Sequence, residues 1–252
     1  MILGNSKKFK GTGYVCYIDV LGFSNDILNN WNNPTSNPLE KILAIKKEIP
    51  VLSEVGEDDG KETHRTYVCR VNSVSDSVTI CFGYNDDIII GDLVLGLFSV
   101  IGSISYIWSK CISEGYTIRG AIDFGEIYWD ENELIGPAFI NAYRLESEVA
   151  KNSRVLVSSN LNKVFADLVR KYKSPLTDDL FERFRKDVDG YLIVNPNVLY
   201  QSHSERDFLI DSLKKIRDAA PSGIVREKYN PLISMLSNNT TGGLSDNDIG
   251  NY

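Results

Sequence analysis

The 252 residues carry 34 acidic and 27 basic side chains, a formal net charge of −7 and a 42% hydrophobic content. That length supports one large domain, or one domain with an appendage, with apolar residues enough for a sizeable core. The acidic balance argues against nucleic acid as a partner, because the chain's own field would oppose phosphate binding. Four scattered cysteines, two histidines and no CxxC argue against zinc.

Residues 1–8 contain no long apolar stretch and so do not read as a signal peptide. Residues 14–21 are a nearly continuous apolar and aromatic run that stops at Gly22, the pattern of a strand buried on both faces. A helix is expected over 25–31, an Asn/Pro-rich loop over 32–38 and a second helix over 39–53, with Leu39, Ile42, Leu43 and Ile45 inward. The acidic stretch 54–64 reads as a solvated loop. Two strands, 65–73 and 77–83, are joined by a tight turn at Val74, Ser75 and Asp76, with Val78, Ile80 and Phe82 on one face.

Residues 88–114 read as a long buried helix. Its apolar run is broken by Gly91, Asp92, Gly96 and several serines, too polar for a membrane span. A strand over 116–124 is followed by a turn at Gly125 and a hairpin partner over 126–129, closed by Asp130, Glu131 and Asn132. Pro137 opens a helix to about 151, residues 155–157 form a short strand, 159–172 a helix and 191–194 a late strand. Two C-terminal helices, 205–219 and 223–236, make an appendage, and the polar, glycine-rich stretch 237–252 is expected to be disordered. The order of elements predicts an α+β layered domain on a ferredoxin-like βαββαβ skeleton. With Cys16, Cys69, Cys81 and Cys111 read as buried reduced thiols, the chain is expected to be cytoplasmic.

Asp19 stands near the end of an apolar strand, where an unpaired carboxylate is costly and must shift its pKa or find a cation. The plainer reading is an aspartate capping the next turn. Asp76 projects from the tight turn between two strands; if that hairpin lies beside the first strand, the two carboxylates converge. Two carboxylates with nearby backbone carbonyls suit Mg²⁺ or Mn²⁺, although Ser75-Asp76-Ser77 taken alone is a common turn composition.

In order along the chain, Tyr17-Ile18-Asp19-Val20-Leu21-Gly22-Phe23-Ser24 resembles the first signature of the class III nucleotidyl cyclases, Φ-x-D-Φ-x-G-F-[ST]. Val74-Ser75-Asp76-Ser77-Val78 resembles their second metal turn, Φ-G-D-x-Φ, and Arg119-Gly120-Ala121-Ile122-Asp123-Phe124-Gly125 their R-x-G-I-H-x-G strand. Glu133-Leu134-Ile135-Gly136 falls at D-x-W-G, and Arg144-Leu145-Glu146-Ser147 matches R-[ML]-E-S. Each motif is weak alone; the ordered set, over residues 14–157, is specific.

The resemblance implies a homodimer with composite sites at the interface. Asp19, Asp76 and the carbonyl of Val20 would hold two Mg²⁺ or Mn²⁺ ions in a two-metal arrangement. The turn at Gly22 and Phe23 would meet phosphate, and Arg144 of the second subunit would stabilise the transferring phosphate. The alternative for Arg144 is an i,i+4 pair with Glu148. The family's asparagine, four residues before this arginine, is Ile140 here; either Asn141 takes that role by a slight shift or the role is absent. Arg185 and Lys186 lie roughly where the family has a phosphate-gripping lysine.

The two positions that read a purine in the family hold Asn72 and Glu133. Asn72 offers the donor and acceptor that a uracil or cytosine edge requires. Arg119 shares a strand face with Asp123, and either points into the base pocket or pairs with Asp123 on the surface. With no sensor domain evident, the chain resembles the pyrimidine cyclases of bacterial anti-phage systems. That implies UTP, or CTP as the alternative, as substrate and a separate effector protein for the cyclic product. A catalytically dead cyclase-fold module that senses a nucleotide is the other reading. On this basis residues 1–200 are expected to form the cyclase domain, with the helices of 201–236 and the tail of 237–252 appended.

Overall fold

The computed structural model describes residues 8–47, 67–84, 90–238 and 244. The apolar run seen in the sequence lies within a longer strand, β1 (Phe9–Leu21). Its alternation feeds two cores: Tyr14, Cys16, Ile18 and Val20 enter the main one, while Phe9 and Val15 enter a smaller one on the opposite face. A strand covered on both faces has no room for alternating polar residues, hence the near-continuous apolar sequence. Asp19 and half-buried Tyr17 share the face of Val15.

β2 (Tyr67–Val74) and β3 (Ser77–Tyr84) form a hairpin, and β3 lies antiparallel against β1 with Asp19 opposite Ser77. On the other side of β1 runs β4 (Thr117–Trp129), also antiparallel, with Arg119 opposite Asp19. The order β2-β3-β1-β4, with helices between β1 and β2 and between β3 and β4, is the ferredoxin-like arrangement that the element order predicts. Three further strands extend the sheet beyond β4: β6 (Val155–Val157), parallel to β4, then β8 (Leu192–Val194) and the edge strand β7 (Phe184–Lys186). The fold is α+β.

β4 differs from its sequence reading: it runs straight through Gly125 with no turn there. Gly125 pairs with Gly13 of β1, and Gly13 with Gly83 of β3, so three glycines stand abreast across the sheet. The turn comes after Trp129 and leads into β5 (Leu134–Ile135). Asp130 Oδ1 accepts the backbone N–H groups of Asn132 and Glu133, both at 2.9 Å, which closes it.

α1 (Phe23–Asn30) starts two residues earlier than the sequence suggests, directly after Gly22. α2 is Pro38–Lys47; the expected continuation to 53, the acidic loop and the first residues of the following strand lie outside the described residues. α3 (Ile90–Ser113) is the long buried helix. Among the described helices it alone is long and apolar enough to cross a membrane by length and composition. Here it packs on the sheet, with Asp92, Ser103 and Trp108 buried. Gly96 lets Tyr84 approach its backbone: a Cβ there would collide with the Tyr84 hydroxyl, which donates to the Asp92 carbonyl at 3.2 Å.

α4 (Pro137–Val149) lies on the opposite face of the sheet from α3, over the smaller core. α5 (Ser159–Lys171) is capped by Ser158, and a short helix not evident in the sequence, α6 (Pro175–Glu182), precedes β7. The second of the expected C-terminal helices is two. After α7 (His203–Ala219) come α8 (Gly223–Glu227) and α9 (Asn230–Ser237), separated at Tyr229 with Pro231 in the first turn of α9. Leu209, Leu213, Leu232 and Leu236 join the main core, as does Leu244, whose N–H bonds to the Phe181 carbonyl at 3.2 Å. The remainder of the expected disordered tail beyond 238 lies outside the described residues.

Candidate functional site

The β2–β3 turn holds its aspartate in a fixed place. Ser75 takes a left-handed φ of 53°, and the Ser77 hydroxyl donates to the Val74 carbonyl at 2.8 Å. The Val20 N–H donates to the Asp76 carbonyl at 3.1 Å, stitching the turn to the end of β1. Asp19 and Asp76 are thereby brought together, and the Ser24 hydroxyl donates to Asp76 Oδ2 at 3.2 Å. Burial raises the Asp19 carboxyl above its ordinary value; Arg119 opposes that and the Asp76 charge adds to it.

Arg119 does not pair with Asp123. Its Nε donates to Asp19 Oδ2 at 2.9 Å and stands 2.8 Å from Glu146 Oε1, which belongs to α4. The single Nε proton points at Asp19, so Glu146 Oε1, although within ion-pair distance, is buried without a hydrogen bond. Burial pushes the Glu146 carboxyl up to about 7, with Arg119 opposing and Asp19 and Asp76 contributing.

Two carboxylates, Asp19 and Glu146, therefore share one guanidinium, and the Asp76 charge acts on both. This excess of hard oxygen donors and the orphaned Glu146 oxygen fit a divalent cation such as Mg²⁺ or Mn²⁺. Asp19 and Asp76 would hold it, with the Val20 backbone alongside. Among the described residues, no group of three or more His, Cys, Asp or Glu side chains could hold a metal by itself. The remaining ligands of such an ion would come from water or from a bound molecule.

Two lysines carry no sequence signal for this place. Lys46 in the last turn of α2 is pulled down by burial and held up by Asp76, and Lys228, at the end of α8, acts on Asp19. Gly22, with a φ of 97°, opens α1, whose first N–H groups have no intrahelical acceptor. A Cβ at Gly22 would stand 3.1 Å from the Tyr229 hydroxyl, so the C-terminal segment covers this turn. Phe23 is buried, its ring edge-on to Tyr116 at 5.9 Å.

Asn72 lies one row along the same sheet face, in register with Thr79, which pairs with Tyr17. It lines a cavity of about 400 Å³ with Tyr17, Thr79, Leu134, Phe139 and Tyr143. Tyr17 meets Tyr143 edge-on at 5.3 Å and Phe139 at 6.1 Å, giving the cavity an aromatic wall. Glu133 is exposed in the β4–β5 turn and does not line this cavity; its neighbour Leu134 does.

Arg144 and Asn141 face elsewhere. They line a second cavity, of about 700 Å³, between α4, the start of α5 and the β7–β8 turn. Residues two apart on a helix are roughly 200° around its axis, so Arg144 points away from the site that buried Glu146 faces. Among the described residues Arg144 makes no ion pair with Glu148. Asn141 Nδ2 donates to Asp123 Oδ2 at 3.1 Å, so its amide is anchored to the sheet. Arg185 and Lys186 lie on β7, the far edge of the sheet, with β8, β6 and β4 between them and β1.

No protein-family model matches this sequence, and no curated protein matches it either. The chain is similar to a number of solved structures, among them three nucleotide cyclases. The adenylyl cyclase CyaB from P. aeruginosa is 15% identical, over 75% of this chain and 96% of that one, with a TM-score of 0.47. A bacterial light-regulated adenylyl cyclase is 9% identical over 84% and 58% of the respective chains, with a TM-score of 0.42. The guanylyl cyclase Cya2 is 13% identical over 75% and 93%, with a TM-score of 0.41.

Proposed function

We propose that this chain is a metal-dependent nucleotidyl cyclase that joins the 3′-hydroxyl of a nucleoside triphosphate to its own α-phosphate and releases pyrophosphate. The observation that carries this reading is the convergence of Asp19 and Asp76 at the C-terminal end of β1, beside the helix start at Gly22. The ordered motifs in the sequence, from Tyr17 to Ser147, support it independently. Asp19 and Asp76 would hold Mg²⁺ or Mn²⁺, which supplies charge stabilisation on phosphate oxygens and acidifies a bound hydroxyl. The free N–H groups at Gly22 and Phe23 suit phosphate oxygens, and Lys46 and Lys228 add positive charge.

Arg144 and Asn141 cannot reach Asp19 of their own chain from the far side of α4. A homodimer in which each subunit lends its α4 to the partner's carboxylates resolves this. Exposed Val74 and Tyr143 line the smaller cavity, and Ile135 and Ile140 are exposed beside its lining residues, an apolar surface suited to such an interface.

Asn72 in an aromatic-walled cavity supports a pyrimidine base, with UTP as substrate and cyclic UMP as product; CTP is the alternative. Arg119, engaged with Asp19 and Glu146, is better suited to holding those carboxylates than to reading the base. A role in anti-phage defence, with the product acting on a separate cytoplasmic effector, follows from the family resemblance. The test is incubation with each of the four nucleoside triphosphates and Mn²⁺, followed by product identification by mass. Cyclic UMP that is lost with Asp19→Ala or Asp76→Ala is expected. Four intact triphosphates refute the enzyme.

A further inference from the structure

Asp123 is wholly buried, and the proposed chemistry gives it no part. Its carboxylate accepts two side-chain donors: the Ser158 hydroxyl on Oδ1 and Asn141 Nδ2 on Oδ2, the latter at 3.1 Å. Ser158 is itself fixed, because its oxygen accepts the Leu161 N–H at 3.0 Å as the cap of α5. Asn141 is exposed on α4 and lines the 700 Å³ cavity beside Arg144.

The Asp123 carboxyl group is the acceptor in both of these bonds. It therefore fixes which end of the Asn141 amide turns inward. The NH₂ group faces Asp123, leaving the Asn141 carbonyl oxygen for the cavity. A carbonyl oxygen recognises a donor, not a phosphate oxygen. On a nucleotide whose phosphates meet Arg144, the nearest sugar donors are the ribose hydroxyls. The 3′-hydroxyl is committed to the metal side in the proposed reaction, which leaves the 2′-hydroxyl.

We infer that Asp123 is a positioning residue that turns the Asn141 carbonyl toward the 2′-hydroxyl of the bound nucleotide, making the site selective for ribose over deoxyribose. This rests on the proposed nucleotide site but not on turnover.

The probes are the α,β-methylene analogues of UTP and of 2′-deoxy-UTP, which cannot cyclise, titrated with Mn²⁺ into the full chain by calorimetry. The unaltered protein should prefer the ribonucleotide by about fivefold to tenfold, the size of one hydrogen bond. Asn141→Ala, Asp123→Ala and the double variant should lose that preference to the same extent, because Asp123 acts through Asn141. Ser158→Ala breaks the other bond to the same carboxylate and removes a helix cap, so it should lower stability yet keep the preference. The inference is overturned if the unaltered protein shows no preference, or if Asn141→Ala leaves it intact; neither result depends on the Asp123 variant folding. It is equally overturned if the losses add. UTP turnover is assayed in parallel, so ribose-selective binding without turnover retires the cyclase alone. Absence of any binding removes both.

Discussion

Glu146 shares its guanidinium partner with Asp19 and loses the hydrogen bond to it. Its carboxyl, raised to about 7 by burial against an ordinary 4.5, keeps its proton in the folded chain while the unfolded chain gives it up. Between those values the folded state binds more protons, so stability falls as pH rises through the window. In cation-free buffer Glu146→Gln should flatten that fall, read as a smaller difference in denaturation midpoint between about pH 5 and pH 7.5. An unchanged difference would place the proton elsewhere. Ser75 stands where the resembling motif has glycine and keeps the left-handed backbone of that position. Ser75→Gly should therefore stabilise the fold by about 0.5–1 kcal/mol, seen as a rise of roughly 1–4 °C in Tm. At this scale Asp19 and Asp76 were legible because a charge in an apolar strand and a charge in a two-residue turn are conspicuous. The Arg119–Glu146 contact and the Asn141–Asp123 bond were not, since they depend on where α4 lands on the sheet.

Elements were read correctly where a hydrophobic pattern is long, as in β1 and in α3, where small and polar residues interrupt the run without ending it. They were misread where a glycine or proline carried the decision. Gly125 looked like a turn, but it pairs with Gly13 because three small residues stand side by side. The apolar periodicity of 223–236 ran through Tyr229 and hid the break between α8 and α9. Strands as short as β5 and β7 leave almost no pattern, being set by the neighbours they pair with. The close approach of Tyr84 to α3 gives a test at this level. Gly96→Ala improves helix propensity but drives a methyl into the tyrosine, so a net loss of about 1–3 kcal/mol is expected from overpacking. A denaturation midpoint that does not fall would show that the helix can slide.

In the whole molecule, the C-terminal helices share the main core with the sheet rather than sitting beside it. Leu213, Leu232 and Leu236 are completely buried. Ending the chain after residue 201 should expose their partners and give aggregation or a protein without a cooperative melting transition. A soluble, cooperatively melting 1–201 fragment would show the helices to be separable. The apolar surface around Val74 and Tyr143 bears on assembly. Sedimentation of the full chain should show a dimer, which Val74→Asp paired with Tyr143→Asp shifts to monomer while the far-ultraviolet spectrum is unchanged. A monomeric parent chain would leave Arg144 without a metal site to serve.

Tyr229 stands over Gly22, and the Lys228 carbonyl holds the Ser153 N–H at 3.0 Å. The turn proposed to meet phosphate precedes its cover by most of the described chain, so it is synthesised well before it. During synthesis the carboxylates and glycine turn emerge long before the segment that closes over them. A nascent chain therefore holds the glycine turn open until the Tyr229 segment has emerged to cover it.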